Sequence, residues 1–563
     1  MNAIRVDPFT LEIVKDAIVA IGDEMFEAQR RTSMSPIVYE TLDFAVGATD
    51  ARGNLLAQGN GVTAFLATLD TAVVSTLEKF DGGRGLEEGD VVITNTPYAG
   101  GGTHLSDVVV VLPVHHEGER IGFMVNKAHW TEVGGMDAGS VTTRSTEIVQ
   151  EGLRFPFVKL YSRGVLNQAL VDTIAANVRL PDSTLGDMHA GVASARVGAA
   201  RLLALVEKYG RDTVLAAMRE LLDHGERITR AELARLPQGE WEASDLVESD
   251  GLGNGPFELK VRVRIADGEL TADFTGTSPQ ATGPINTTMT GLITGVRCVF
   301  MAIVGGGVQA NGGCFRPLRI VCPPGTVLSA VAPAPVSNYY ESLLGAIDVV
   351  WKALAPVVPD RLPAGHQRCV GATFIAGRHD GSGELFILGE PLVGGWGAAV
   401  DRDGDNGQFC AGNGETFNIP VELAETRYGL HVERYGFHDA DGGAGRFRGG
   451  RGVVIDYRVV CEQAFLTVTY TGNVRRPWRV DGGRPGSHNY AEVHRVDGTV
   501  ERYTMATSVP LRRGDLVRCL TACGGGWGDP RERDPALVAR DLRDGYITPA
   551  QAAEYGYVGG GSP

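Results

Sequence analysis

The sequence lacks several features that would each define a class of protein. No continuous apolar run approaches the roughly 18 residues of a membrane-spanning helix, and the N-terminus has no basic patch followed by an apolar core. The eight cysteines are scattered without any CxxC pair, so reduced and mostly buried thiols are expected. These absences predict a cytoplasmic protein without a membrane partner.

Basic residues are also few relative to acidic ones. The chain has 52 Lys and Arg against 68 Asp and Glu, for a net charge of -16. An acidic surface repels phosphate backbones and anionic lipids, which excludes nucleic acid as an expected partner. Neither a G-x-x-x-x-G-K-[ST] phosphate loop nor a G-x-S-x-G nucleophile turn occurs. Any ATP chemistry must therefore come from another protein.

The composition that is present indicates a turn-rich soluble protein. Hydrophobic residues make up 43% of the chain, and 76 glycines occur in clusters without a repeat. A chain of 563 residues is long enough for several units. We expect an α/β and β-rich mixed multidomain fold: a mixed α/β unit over residues 1–235, a β-hairpin-rich unit over 236–375, and a mostly β unit with short terminal helices over 376–563.

Local patterns place the main elements. Apolar residues at helical spacing after Asp7-Pro8 predict an opening helix, and β-branched runs at 91–93 and 108–111 predict strands. The other predicted elements are helices between about 167 and 235 that separate at Tyr209-Gly210, a hairpin over 257–274, a helix over about 290–304, strands at 453–459 and 465–470, and two short helices before a disordered tail at 559–563.

The most informative stretch runs from Asn95 to His129. Two apolar strands around a Glu117-Gly118 turn predict a hairpin that carries metal ligands, and its pairing would set His129 beside Ser106. The side chains of His104, Asp107 and His129 would then meet at one end of the hairpin, within the reach of a shared ion.

Two imidazoles and a carboxylate suit divalent Mn, Fe, Co or Zn. Strict strand alternation would turn Asp107 away from His104, so a shared site needs the strand to begin late or a bulge near Ser106. The alternative is a pair of structural histidines. We interpret His115-His116 as a solvated turn, and Asp43, before a strand-like run, as a further carboxylate that spacing alone does not single out.

Many ordered motifs make the chain resemble a known family. They are Glu40-x-x-Asp43-Phe44, Gly89-Asp90, Asn95-x-Pro97-Tyr98, Gly102-Thr103-His104-x-x-Asp107, Ala128-His129-x-x-x-x-Gly134-Gly135, Gln150-Glu151-Gly152, Asn177-x-Arg179-x-Pro181, Gly186-Asp187, Gly283-Pro284-Ile285-Asn286, Arg316-Pro317, Arg448-Gly449-Gly450, Gly525-Gly526-Trp527-Gly528-Asp529-Pro530 and Arg533-Asp534-Pro535. Together they resemble the B subunits of ATP-dependent hydantoinases, a family that includes part of the 5-oxoprolinases and subunits of acetone and acetophenone carboxylases.

The resemblance implies a division of labour within a hetero-oligomer. A hydantoinase A-like, kinase-like subunit uses ATP to phosphorylate the carbonyl oxygen of the substrate, and this subunit completes the reaction at a divalent metal such as Mn, Zn or Fe. The family's metal positions correspond to His104, Asp107 and His129, with Asp43 as a further candidate. Many relatives have Asp at the position of Glu132.

Three functions are compatible with this resemblance. The first is hydrolysis of a five- to seven-membered cyclic amide or imide, of the hydantoinase, N-methylhydantoinase, oxoprolinase or lactamase type, in which Glu132 or Asp137 accepts a proton from metal-bound water. The second is carboxylation of a ketone, as in the acetophenone and acetone enzymes. The third is a non-catalytic scaffold for such a complex.

Overall fold

An antiparallel sheet of seven strands forms the centre of the first part of the chain. The computed structural model describes residues 6–81, 85–440 and 442–557. The elements up to residue 235 are α1 (Pro8–Thr32), α2 (Pro36–Tyr39), β1 (Phe44–Asp50), β2 (Leu55–Gly61), α3 (Thr63–Leu66), α4 (Leu69–Phe80), β3 (Val91–Thr94), β4 (Asp107–His116), β5 (Glu119–His129), β6 (Val158–Ser162), β7 (Val165–Leu166), α5 (Gln168–Asn177), α6 (Pro181–Tyr209) and α7 (Arg211–Arg235). The strand order is β2-β1-β5-β4-β3-β6-β7.

Two long helices cover this sheet, and the sequence explains where α1 begins. The Asp7 carboxylate accepts hydrogen bonds from the first backbone amides of α1, and Pro8 occupies the first helical position. Buried apolar residues every three to four positions, such as Ile18 and Met25, then pack against α6 and β2. The predicted opening helix is confirmed, as is the break between α6 and α7 at Gly210.

The hairpin formed by β4 and β5 is present, but its register differs from the prediction by one residue. His129 pairs with Asp107, not with Ser106. A bulge between Val114 and His115 adds one residue to the hairpin. The pairs between this bulge and the open end of the hairpin are therefore shifted by one residue from the predicted pairing. The turn itself lies at Glu117-Gly118 as predicted, with both residues at positive φ.

A second sheet and two helices follow. Their bounds are β8 (Gly239–Val247), β9 (Phe257–Ala266), β10 (Glu269–Asp273), α8 (Met289–Val304), β11 (Leu318–Val321) and α9 (Tyr339–Leu354), with the sheet order β11-β10-β9-β8. The predicted hairpin and the helix near 290–304 are confirmed. The helix α9 was not predicted, because every residue in it except Lys352 is buried and no polar face marks it as amphipathic.

The last part of the chain is mostly β, as expected. It contains β12 (Ala372–Arg378), β13 (Leu385–Glu390), α10 (Val421–Arg427), β14 (Leu430–Phe437), β15 (Val453–Val459), β16 (Gln463–Thr469), β17 (Tyr490–His494), β18 (Val500–Tyr503), β19 (Met505–Arg512), β20 (Leu516–Leu520), α11 (Pro535–Arg543) and α12 (Pro549–Ala552). They form the sheets β13-β12-β16-β19 and β14-β15-β20-β17-β18. The predicted tail at 559–563 lies outside the described residues.

A large hydrophobic core joins the first two sheets and reaches the sheet β13-β12-β16-β19, whereas residues of the last two sheets form a separate core. The large core extends from Val14 in α1 to Cys410 and includes β9, α8, α9 and β12. The mixed α/β and β-rich class is therefore confirmed, whereas the unit boundaries near 235 and 375 stay a prediction. None of the helices in the described ranges has both the length and the apolarity needed to cross a membrane.

The buried guanidinium of Arg368 holds α9 against β8. Its Nη1 lies 3.3 Å from Asp245 Oδ1 in β8 and 3.4 Å from Asp348 Oδ2 in α9, and its Nη2 donates to the Leu246 carbonyl at 2.8 Å. Its side chain is 7% exposed, so solvent screens these interactions little. Lys352 also pairs with Asp245. Asp348 pairs with Arg368 and accepts a hydrogen bond from Trp478. Loss of the Arg368 charge would therefore affect Asp348 more than Asp245.

We expect Arg368→Met to lower the free energy of unfolding by about 3–5 kcal/mol, because it leaves Asp348 buried without its cation. Chemical denaturation monitored by circular dichroism measures this change. The control is Arg262→Met, which breaks an exposed pair with Glu242 and should change little. Equal stabilities for the two variants would show that Arg368 does not anchor α9.

Candidate metal centre

The loop before β4 is built to hold His104. Asn95 Nδ2 donates to the carbonyls of Leu105, at 2.8 Å, and Leu153, at 2.9 Å. These two hydrogen bonds fix the loop against the segment around Leu153. Gly102 permits this close packing, because a Cβ atom there would lie 2.7 Å from the Asn95 carbonyl oxygen. The Asn95 and Gly102 motifs therefore have a local structural purpose, which is to present His104 inward.

The three predicted ligands come together. One possible ligand atom each from His104, Asp107 and His129 lies within 4.8 Å of the others, and all three residues are buried. The imidazole ring centroids of His104 and His129 are 5.0 Å apart. Strand alternation does not separate His104 from Asp107, because residues 104–106 form a turn and β4 begins only at Asp107.

The His104 ring faces two acceptors. Its Nδ1 lies 2.9 Å from the Ser337 carbonyl oxygen and its Nε2 lies 3.1 Å from Asp107 Oδ1. A neutral imidazole carries one N–H, so only one of these contacts can be a hydrogen bond unless a positive charge is present. Burial disfavours the charged ring, but the Asp107 carboxylate and the hydrogen bonds to Asp107 and Ser337 raise the pKa of His104 above its usual value.

The same contacts fit a cation bound between His104 and Asp107. If Nδ1 donates its proton to Ser337, the lone pair on Nε2 points toward the carboxylate, the arrangement found where a carbonyl orients a metal-binding histidine. Despite its burial, the charges of His104 and Lys127 hold the pKa of Asp107 below its usual range, so Asp107 is an anionic donor.

His129 supplies a second available nitrogen. Its Nδ1 is buried and has no hydrogen-bond partner among the described residues. Burial, and then the charge of His104, lowers the pKa of His129 to about 3, so its ring is neutral at physiological pH. A buried, neutral and unpartnered nitrogen beside a carboxylate is what a divalent ion requires, and the residues present therefore fit such an ion.

Asp43 lies beside this group but outside it. The residue precedes β1, and its backbone carbonyl accepts from the His129 amide at 3.0 Å. Its side chain lines the same cavity as the three ligands. Burial, and then the Asp107 charge, raises the pKa of Asp43 to about 7.

Lys127 was not singled out from the sequence. It lies two residues before His129 on β5, so both side chains point to one face, and its ammonium donates to Thr103 Oγ1 at 2.8 Å. Thr103 in turn donates to Asp107 Oδ2, and the Lys127 Nζ lies 3.7 Å from that oxygen. A lysine within the buried part of β5 was the available signal. Burial lowers the pKa of Lys127 to about 8, against the opposing charges of Asp107 and Asp43.

The three candidate ligands open onto a cavity of about 60 Å³ that is partly open to solvent. Sequence reasoning missed most of its walls. The rings of Tyr339 and Tyr340, at the start of α9, lie 5.0 and 6.4 Å from that of His104. Apolar residues of α9, of β12 and of the segment just before β12 also line it: Leu343, Leu344, Val370, Ala372 and Phe374.

Glu132 and Asp137, the predicted proton acceptors, do not line this cavity. Glu132 accepts hydrogen bonds from the Gly134 and Gly139 amides, from Ser140 and, at 2.9 Å, from Arg179 Nη1. Asp137 pairs with Arg144 and accepts from Ser508 at 3.0 Å. These contacts hold the loop that follows β5. His115 and His116 lie at the other end of the hairpin and are partly exposed.

Comparison with known proteins agrees with this architecture. The family model described as Hydantoinase B/oxoprolinase matches residues 7–530. A protein of Pseudomonas sp. strain NS671, whose name describes the B subunit of a D-/L-hydantoinase, is 32% identical over 98% of this chain and 95% of its own. The chain therefore belongs to the hydantoinase B/oxoprolinase family.

Solved structures show the same fold. The crystal structure of ATP-dependent caprolactamase from Pseudomonas jessenii has a TM-score of 0.92 and 28% identity, covering 99% of this chain and 97% of that chain. The nucleotide-free structure of acetone carboxylase has a TM-score of 0.91 over 98% of this chain and 79% of that one, but its 19% identity makes it a likeness of fold alone.

We expect His129→Ala and His104→Ala to lose bound divalent metal, because each removes a nitrogen donor from the site. Metal content after exhaustive dialysis and reloading, measured by inductively coupled plasma mass spectrometry, tests this. His115→Ala, at the far end of the same hairpin, is the matched control and should retain the metal. Full occupancy in both ligand variants would exclude the site.

We expect Lys127→Met to weaken metal binding by roughly 10- to 100-fold, because Thr103 loses the contact through which Lys127 holds Asp107 in place. Titration calorimetry of the metal-free protein gives the dissociation constant. Lys127→Arg keeps the charge and should restore most of the affinity. Equal affinity for the Met variant and the unaltered protein would contradict a positioning role for Lys127.

Proposed function

We propose that this chain is the metal-dependent subunit of an ATP-dependent cyclic amide hydrolase. It would act on a ring whose carbonyl oxygen has been phosphorylated by a hydantoinase A-like partner. The observation that carries the proposal is the group of His104, Asp107 and His129 at the end of a largely apolar cavity. Family membership, the caprolactamase likeness and the absence of a phosphate loop in the sequence support it.

Phosphorylation explains why two subunits would share the reaction. Amides resist water because the nitrogen donates electrons into the carbonyl group. A phosphate ester at the carbonyl oxygen provides a good leaving group and a more positive carbon, so a weak nucleophile suffices. A bound divalent ion supplies the remaining chemistry by lowering the pKa of water toward about 7.

The residues of the chain would hold and shield the reactants. His104, Asp107 and His129 would bind the ion, while Ser337 and Lys127 keep His104 and Asp107 in their orientations. Asp43 is a carboxylate of the cavity wall that can accept a proton from the attacking water, and we assign it this role in place of Glu132 and Asp137.

The apolar wall completes this arrangement. Leu343, Leu344 and Phe374 would pack against the carbon atoms of the ring and exclude bulk water from the activated carbonyl. We propose that Glu132 and Asp137, paired with Arg179 and Arg144, instead keep the loop after β5 in place.

The test is reconstitution of this chain with the product of a neighbouring kinase-like gene, loaded with metal, in an assay of ATP consumption and ring opening over lactams, hydantoins and imides. We expect ATP-coupled ring opening, and a loss in His104→Ala greater than the roughly 10- to 100-fold caused by removing a supporting hydrogen bond. His115→Ala should retain the activity.

Other outcomes would reject the proposal. A His104→Ala complex without metal that opens rings at the unaltered rate would exclude metal-dependent hydrolysis. Formation of a β-keto acid from a ketone and bicarbonate, without ring opening, would identify a carboxylase. An active complex without stoichiometric metal would identify this chain as a scaffold.

A further inference from the structure

The ionisable side chains on the cavity wall are three carboxylates, two histidines and two tyrosines. Three carboxylates line the cavity, those of Asp43, Asp107 and Glu390. The other polar lining side chains are His104, His129, Tyr339, Tyr340 and Asn413, and no Lys or Arg lines it in the described part of the chain. A substrate with an acidic substituent would therefore find no cationic side chain on the wall.

The nearest candidate cation, Lys127, is not available to a substrate. Its ammonium donates to Thr103, lies 3.7 Å from Asp107 Oδ2 and sits 4.4 Å from the centre of the Phe65 ring. Phe65 and Asp107 line the cavity, whereas Lys127 does not. Lys127 therefore compensates the protein's own carboxylates from behind the wall.

The carboxylate of Glu390 is also already engaged. Tyr457 donates to one of its oxygens, and the Ile419 amide and Asn418 Nδ2 donate to the other at 2.9 and 3.2 Å. Its side chain is therefore a fixed acceptor among apolar residues. A second carboxylate brought into this space would lose its hydration, and the donors around Glu390 are already occupied.

The positive charge at the ligand end does not change this balance. An ion held there would face the carbonyl carbon of the ring and the phosphate on its oxygen, so it would compensate that phosphate and not a second acidic group. A substituent elsewhere on the ring would instead meet Leu343, Leu344, Val370 and Phe374.

We infer that this chain takes rings without a free carboxylate, an inference that rests on the proposed function. The substrate class is a neutral lactam, hydantoin or imide, unsubstituted or with apolar substituents. 5-Oxoproline, which is a five-membered lactam with a carboxylate, is disfavoured because that carboxylate would lose its hydration and meet no cationic side chain on the wall in the described part of the chain. The preference for rings without a carboxylate is set at this cavity and does not depend on which rings the partner subunit phosphorylates.

A matched pair of substrates tests the inference. 2-Pyrrolidinone and 5-oxoproline share the same ring and differ by the carboxylate, and 5-oxoprolinamide is a neutral compound of similar size to the acid. For the metal-loaded complex, we expect kcat/KM for ring opening of both neutral compounds to exceed that of 5-oxoproline by at least roughly 100-fold.

A variant of the wall shows where the selection resides. Leu344→Lys adds a cation to the cavity, and Leu344→Met is its neutral control. We expect the ratio of 5-oxoproline to 5-oxoprolinamide activity to rise by at least about tenfold in the Lys variant relative to the Met variant. Val370→Lys, on a different wall segment, replaces it if Leu344→Lys does not fold as judged by circular dichroism.

Each outcome decides the matter. Ring opening of 5-oxoproline at a rate similar to that of 5-oxoprolinamide would overturn the inference and leave the proposed function intact. A preference for neutral rings that the Lys variants do not alter would place the selection elsewhere and also overturn it. Failure to open any cyclic amide or imide would reject the proposed function and this inference with it.

Discussion

The arrangement around His104 imposes the main constraint on this protein. Both ring nitrogens face acceptors, the Ser337 carbonyl and the Asp107 carboxylate, and a neutral imidazole satisfies one of them. The surrounding structure keeps both acceptors in place: β4 begins only at Asp107, Gly102 lets the loop approach Asn95, and Lys127 offsets the charge of the carboxylate. A positive charge between His104 and Asp107 resolves the conflict, and the free Nδ1 of His129 lies on the same side.

The grouping of His104, Asp107 and His129 could be predicted because it depends on a local structure. Two β-branched runs joined by a Glu-Gly turn specify a hairpin. The candidate ligands at its open end come together regardless of how the later parts of the chain fold. The prediction survived a register error of one residue, because Ser106 and Asp107 are neighbours opposite His129. The error arose at the bulge beside His115, which no pattern of side chains indicates.

The walls of the cavity could not be predicted, because they depend on contacts between distant parts of the chain. The helix α9 is buried on all sides, so it shows no polar stripe, and Tyr339 and Tyr340 carried no signal of their position. Glu132 was expected at the site because it follows His129 closely. Proximity along the chain does not give the direction of a loop, and Glu132 accepts a hydrogen bond from Arg179 and does not line the cavity.

The division of the site between chain segments has a consequence for divergence within the family. All three candidate ligands lie on one hairpin and its adjoining turn, whereas much of the remaining cavity wall belongs to α9, β12 and β13. Mutations in these later segments can alter the shape and polarity of the cavity while the hairpin that carries the candidate ligands is inherited unchanged. Relatives with different substrates can therefore diverge from one ancestor without losing His104, Asp107 or His129.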